Sequence, residues 1–342
     1  MAMGNTKSGM AIALAWPKTY CKKAGAWYDG LMDLLGFNEN GYYQVGHAAV
    51  VLVENETGNT HYFDFGRYHA PYQHGRVRGA LTDPELTMKT KAVVSNTGKI
   101  ENLQSILEEL ANRKACHGDG TLHASVTKID FERALEKALW MQQKSPIPYG
   151  PFTYGGSNCS RFVNTVIRCG NPFLIHQFRL NYPYSLSPTP IGNVRSLGKS
   201  FPIQKDPPLV PSGKKFVGGL LASPRRHPAV PAGSLWLSGE GAGSWFHFQN
   251  SGEYYIIRRF GPDGELEFSG IYASGEKILK PGLPFEVRHF SHFQQVTVTQ
   301  KNLEIKFTKV ISVFSSANTN QDSKGHLAFV SLTSSAPNWD NQ

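Results

Sequence analysis

A glycine turn that delivers a cysteine to the first turn of a helix is a place where a thiol ionises. Tyr154-Gly155-Gly156-Ser157-Asn158-Cys159-Ser160-Arg161-Phe162-Val163 has that form. The first N–H groups of a helix lack intrahelical partners and carry the positive end of its dipole, so a sulfur there is favoured as thiolate. Phe162, Val163, Val166 and Ile167 make one apolar stripe, and Cys159 precedes members of it at helical spacing. The sulfur should therefore stand at the inner edge of the helix, facing a sheet. A nucleophile so placed needs a base within reach and a group that orients the base.

Among 12 histidines, His47 heads a buried strand, Gly46-His47-Ala48-Ala49-Val50-Val51-Leu52. A buried imidazole needs a partner. Across a hairpin turn near Thr57-Gly58, Asp64 in Tyr62-Phe63-Asp64-Phe65-Gly66 is an acid among aromatics, costly to bury unless paired. That register puts Asp64 on the face of His47, and a one-residue slip would put His61 there instead.

The elements that must position these groups follow from hydrophobic period and punctuation. Residues 10–16 read as a buried strand, residues 26–35 as a short helix, and Val45 to Val53 with Thr60 to Phe65 as a hairpin. Residues 67–90 are polar and aperiodic, and residues 92–94 read as a strand. Glu101 to Lys114 has helical spacing, Val126 to Ile129 reads as strand, and Asp130 caps a helix running to Lys144. The cysteine helix spans Asn158 to Cys169 and stops at Gly170, with Pro172 beyond. From about 183 to 215 Pro, Gly, Ser and Lys dominate, as in an extended connector. Six strand patterns and a Gly261-Pro262-Asp263-Gly264 hairpin turn follow, with hardly a helix. The expected domains are residues 1–182, a connector 183–215, and a small all-β barrel or sandwich over 216–342.

Tyr154-Gly-Gly-Ser-Asn-Cys-Ser-Arg-Phe-Val resembles the nucleophile motif of the NlpC/P60 papain-like hydrolases. With Gly46-His47-Ala48 ahead of the cysteine, the order is similar to the circularly permuted branch that includes lecithin:retinol acyltransferase-like proteins. The resemblance covers residues 40–170. It implies an α+β permuted papain-like domain, with an antiparallel sheet and packed helices. It also implies Cys159 as nucleophile on an acyl carbon, His47 as base, Asp64 or His61 as orienter, and Tyr154 or Tyr149 near the oxyanion. Trp16-Pro17, Ala26-Trp27-Tyr28-Asp29 and Phe63-Asp64-Phe65-Gly66-Arg67-Tyr68 are similar to an uncharacterised bacterial group of such proteins. Pro231-Ala-Gly-Ser-Leu-Trp-Leu, before Trp245-Phe246-His247-Phe248, resembles the approach to the histidine strand of unpermuted members. That would make His247 the base instead.

Arg67, Arg76 and Arg78, in a polar stretch after Asp64, read either as solvated loop arginines or as groups that bind an anionic part of the substrate. Gly241-Ala-Gly-Ser244 lacks the spacing of a nucleophile elbow. Cys21, Cys116 and Cys169 carry no motif, and His289-Phe-Ser-His292 has no acidic cluster beside it, so neither metal nor cofactor is expected. The formal charge is +9, but no long basic run or aromatic-glycine RNA motif occurs, which argues against nucleic acid. The apolar run 10–16 ends without a small-residue cleavage site, and no stretch reaches the ~20 apolar residues of a membrane span, so a cytoplasmic location is expected. The reaction implied is a cysteine-dependent hydrolase or acyltransferase acting on a peptide, amide or acyl-ester substrate, with a cell-wall peptide amidase or endopeptidase as one form. The alternative is a non-catalytic two-domain binding or scaffolding protein.

Overall fold

The structure, a computed structural model, describes residues 7–310 apart from 24, 26–28, 35–37, 184, 212 and 276. Gly9–Trp16 (β1) is buried at every position. A small three-stranded sheet follows, made of Tyr20–Lys22 (β2), Asn38–Glu39 (β3) and Tyr42–Gln44 (β4), with Asp29–Leu34 (α1) between its strands. The expected helix over 26–35 is present in its described part, while Ala26, Trp27, Tyr28 and Leu35 lie outside the described residues. His47–Glu54 (β5) and Thr60–Gly66 (β6) form the hairpin, with Ala49 opposite Asp64 and Leu52 opposite His61. Then come His74–Gly79 (β7), Leu103–Ala111 (α2), Leu122–Ile129 (β8), Phe131–Gln143 (α3), Ile147–Pro148 (β9) and Cys159–Cys169 (α4). Leu174–Asn181 (α5), Pro190–Ser196 (α6) and Phe201–Ile203 (β10) complete the first domain.

Its seven strands pair antiparallel in the order β10-β8-β1-β5-β6-β7-β9. Alternate residues of a strand face opposite sides. Ala11, Ala13, Ala15, Ala48, Val50 and Leu52 accordingly face α3, α4 and α6, while Met10, Ile12, Leu14, Val51 and Val53 face α2. Both faces of β1 and β5 are therefore covered, which is why they read as unbroken apolar runs. The alanines on one face let the helices approach closely. Phe162, Val163, Val166 and Ile167 of α4 are fully buried there, each contributing about 1.5–3 kcal/mol of hydrophobic transfer free energy.

The segment expected as a connector departs from that reading. α6 packs on β1 and α4, and β10 edges the sheet beside β8, so the first domain runs on past residue 200. Proline suits this start: Pro190 opens α6 while the Thr189 side chain accepts from Gly192 N–H. β7 occupies part of the stretch expected to be aperiodic, and of residues 92–94 only Val94 is paired, in a single bridge to Ile100. At the end of α4, Gly170 keeps φ −71°, and Asn171 takes the left-handed position with φ 48°.

In the second domain Phe216–Val217 (β11) and Leu220–Leu221 (β12) form a short hairpin. Leu235–Leu237 (β13), Ser244–Ser251 (β14), Tyr254–Phe260 (β15), Leu266–Ala273 (β16), Glu286–Val287 (β17), Gln295–Gln300 (β18) and Leu303–Lys309 (β19) make one antiparallel sheet. Its order is β13-β14-β15-β16-β19-β18-β17. The edge strands β13 and β17 approach each other, so the sheet curls nearly into a barrel around Phe246, Ile257, Tyr272, Val298 and Phe307. Residues 311–342 of the expected second domain lie outside the described residues.

A buried ionic cluster joins the two domains. Asp83 accepts a fork from Arg76 at 2.7 and 2.6 Å and a further bond at 3.0 Å from Arg259, a fully buried residue of β15. Arg259 also pairs with Glu85 at 2.6 Å and Glu267 at 2.5 Å. Removing one member of a buried pair leaves an uncompensated charge, at a cost of about 3–5 kcal/mol. Arg259→Leu is therefore expected to lower unfolding stability by about that amount in urea titration. A loss within about 0.5 kcal/mol, the range of ordinary surface changes, would contradict this account.

Candidate active site

The site begins with two local backbone solutions. Gly46 has φ +79°, and a Cβ on it would meet Pro17 Cα and the Trp16 carbonyl at 2.9 Å, so only glycine lets β5 start tight against the end of β1. His47 follows directly, opposite Trp16, and stacks on its indole at 5.9 Å. On the nucleophile side, a loop closes on itself. Ser157 N–H donates to the Pro148 carbonyl and Gly150 N–H to the Ser157 carbonyl, while Gly155 takes φ +63°. The loop hands over to α4 through Asn158, whose side chain accepts from Arg161 N–H at 2.8 Å. Cys159 is the first helical residue, as the sequence predicts.

α4 brings the Cys159 sulfur against the start of β5, where the Ala48 backbone N–H and the His47 ring both interact with it. Asp64 Oδ2 lies 3.5 Å from His47 Nε2. Nε2 closes no full hydrogen bond. Asp64 is fixed by other groups: Arg78 Nε donates to Oδ1 at 2.9 Å, Arg78 Nη2 donates to Oδ2, and Tyr62 O–H donates to Oδ2 at 2.9 Å. All of these side chains are buried.

Burial opposes each charge in this group, and the partners outweigh it. For His47, burial would lower the pKa, but the nearby Asp64 carboxylate and the Cys159 thiol raise it to about 9. For Cys159, burial would raise the pKa, but His47, then the Ser160 hydroxyl and the Ala48 N–H, bring it below the ordinary thiol value. Burial would likewise raise Asp64, yet Arg78 and His47 hold its carboxyl well below the usual range. The arrangement favours a thiolate and imidazolium beside a fixed carboxylate.

The structure brings Cys159, His47 and Asp64 together and leaves His61 out. His61 lies on the opposite face of β6, packed on Phe131 at 5.6 Å, because its register partner Leu52 faces α3. His247 stands opposite Arg258 in the second domain's sheet. Tyr154, at the loop tip, is fully exposed. Tyr149 stacks on Phe65 at 5.8 Å and is held well above its ordinary pKa by burial and by the charge of Cys159. It lines a cleft of about 590 Å³ together with His47, Arg67, Tyr68, Asp119 and Glu240.

The arginines expected to meet a substrate anion are committed elsewhere. Arg76 gives its fork to Asp83 and its Nε to the Tyr68 carbonyl at 2.8 Å. Arg67 pairs with Glu240 of the second domain and donates to the Lys22 carbonyl. Its guanidinium also lies 4.8 Å from the Tyr149 ring. Each is buried, so neither offers a free fork. Tyr62 and Glu240 are site residues that sequence reasoning missed, and Arg78, expected at a substrate anion, is instead the partner of Asp64. Tyr62 and Asp64 share a face by alternation, and Arg78 sits opposite Asp64 in register. An Arg-Val-Arg run read with period two would have shown an inward arginine.

Residues 11–171 match the family model for Type VI secretion system effector TseH-like proteins, and residues 234–310 match the DUF6695 C-terminal domain. A crystal structure of the Type VI secretion system effector TseH matches at 18% identity and a TM-score of 0.37, over 55% of this chain and 87% of that chain. No curated protein matches.

The charge balance at Cys159 has a direct readout. Its alkylation by iodoacetamide should half-saturate at lower pH than that of Cys169, whose thiol burial pushes up. His47→Ala should move that midpoint above the ordinary thiol range, and Asp64→Asn should bring imidazolium loss below about pH 9. Identical profiles in wild type and His47→Ala would show that the imidazole does not set the thiol's ionisation.

Proposed function

We propose that this chain is a cysteine amidase of permuted papain-like type, an effector-class hydrolase that cuts an amide bond in a bacterial cell-wall peptide. The observation that carries the reading is the buried series Cys159, His47 and Asp64 beside a cleft. The Cys159 thiolate attacks the amide carbonyl carbon, with the first-turn N–H of α4 donating to the developing oxyanion. As the C–N bond breaks, the His47 imidazolium gives its proton to the leaving amine. Water, deprotonated by His47, then attacks the thioester carbonyl; the C–S bond breaks, the acid is released, and the thiolate and imidazolium are restored. Asp64, held by Arg78 and Tyr62, orients the imidazole and favours its charged form.

Two further observations support the substrate class. Lys22, Arg67, Asp119, Lys214 and Glu240 line the cleft, which suits a hydrated peptide better than a lipid acyl chain. The likeness of residues 11–171 to secretion effectors supports a target outside the producing cell.

The test is digestion of purified peptidoglycan by the full chain, with the products separated and weighed. New free amino groups on peptide fragments are expected, and Cys159→Ala should lower the rate by about 10⁴-fold or more. The competing binding-protein reading predicts no cleavage and a Cys159 no more reactive than Cys169. That pair of results would overturn the enzyme reading, as would full activity in Cys159→Ala.

A further inference from the structure

The stretch from Lys137 to Lys205 holds eight Lys and Arg and no Asp or Glu, although the chain carries 26 acids. That acid-free stretch includes α5, which turns an apolar face outward. At 100° per residue, Leu174, Ile175, Phe178 and Tyr182 fall within one ~100° arc. The opposite side holds the helix down, through buried Leu180 and through His176 Nδ1, 2.8 Å from the Thr127 hydroxyl of β8. Leu174 is 86% exposed, Phe178 61% and Tyr182 68%, and Leu186 just beyond is 97% exposed. The Phe178 and Tyr182 rings touch at 5.0 Å. Among the described residues, no segment covers this face.

An ordinary surface scatters single apolar side chains, whereas a contiguous patch marks an interaction site. Bases flank this one: Arg168 at the end of α4, Arg179 on α5, and Arg195 and Lys199 at the end of α6 and beyond, on helices packed against α5. A helix with an apolar face, aromatic side chains and a basic border fits the headgroup boundary of an anionic bilayer. We infer that α5 and its flanks dock the protein on an anionic lipid surface, with Leu174, Ile175, Phe178 and Tyr182 entering the acyl boundary and the arginines meeting phosphate headgroups. Cys159 is the first residue of α4, about 14 Å along the helix from Arg168. The docked face and the cleft are thus separate features, and one can fail without the other.

The experiment is co-sedimentation of the full chain with vesicles of phosphatidylethanolamine and phosphatidylglycerol, against phosphatidylcholine alone, with sedimentation velocity run in parallel. Wild type should partition at least about tenfold more strongly into the anionic vesicles, and high salt should weaken that binding. Leu174→Ser with Phe178→Asp, and separately Arg168→Glu with Arg179→Glu, should each lose about tenfold or more, with Cys159 alkylation unchanged. No binding by wild type, or full binding by both variants, would overturn the inference. So would a wild-type dimer that the apolar variant dissociates, because the occupant of the face would then be a second copy of the chain.

Discussion

Asp64 is a carboxylate with no exposed surface, placed on a strand between two apolar layers. Leaving it unpaired would cost several kcal/mol. Much of the local structure supplies the compensation. Arg78 reaches it from the neighbouring strand with a two-pronged fork, and the same guanidinium donates to the Ala115 carbonyl at 3.0 Å and lies 4.0 Å from the Tyr68 ring. The pairing therefore fixes β6 against β7, holds the turn around residue 115, and sets the ring that meets His47 edge-on at 6.3 Å. His47 receives what remains of the field of a charge already held in place. A 3.5 Å contact is enough for that, since the carboxylate needs no help from the imidazole to stay put.

The second domain enters the same construction. Its Gly239-to-Ala242 loop lies along residues 67–69, with Gly241 N–H donating to the Arg67 carbonyl and a parallel bridge between Tyr68 and Ala242. Glu240, buried by that docking, neutralises Arg67 and accepts from Gln73 N–H at 2.6 Å. Arg67 in turn stands over the Tyr149 ring. The cleft wall is thus continuous from one domain to the other, and the all-β domain is part of the site's support.

The sequence was most informative where one physical signal dominated. Apolar runs gave β1 and the β5–β6 hairpin, and cap residues gave α3 and α4, with Asp130 and Asn158 accepting the bonds expected of N-caps. The glycine turn gave Cys159 its place. Reading failed where charge is buried by pairing across distant strands, because Arg67, Arg76 and Arg78 look solvated until Glu240, Asp83 and Asp64 are brought to them. It failed again in 183–215, where proline marks the start of α6 as readily as a linker. The choice between Asp64 and His61 turned on register, which the turn residues constrain but which packing on Phe131 and Tyr62 fixes.

The four cysteines separate the effect of burial from the effect of a partner. Cys21 and Cys116 are both pushed up to about 12, with burial the largest influence, and Cys169 is raised for the same reason. Cys116 gains nothing decisive from having Arg78 nearby. Cys159 is as deeply buried, yet its thiol moves the other way, and the largest opposing influence is the His47 imidazole. First-turn position explains how α4 aims the sulfur at β5; the imidazole explains its ionisation. Because burial works against both partners, neither charge is stable alone, and each is stabilised by the other. The thiolate is a property of the pair, and the pair exists because Gly46 lets β5 begin where α4 ends its approach.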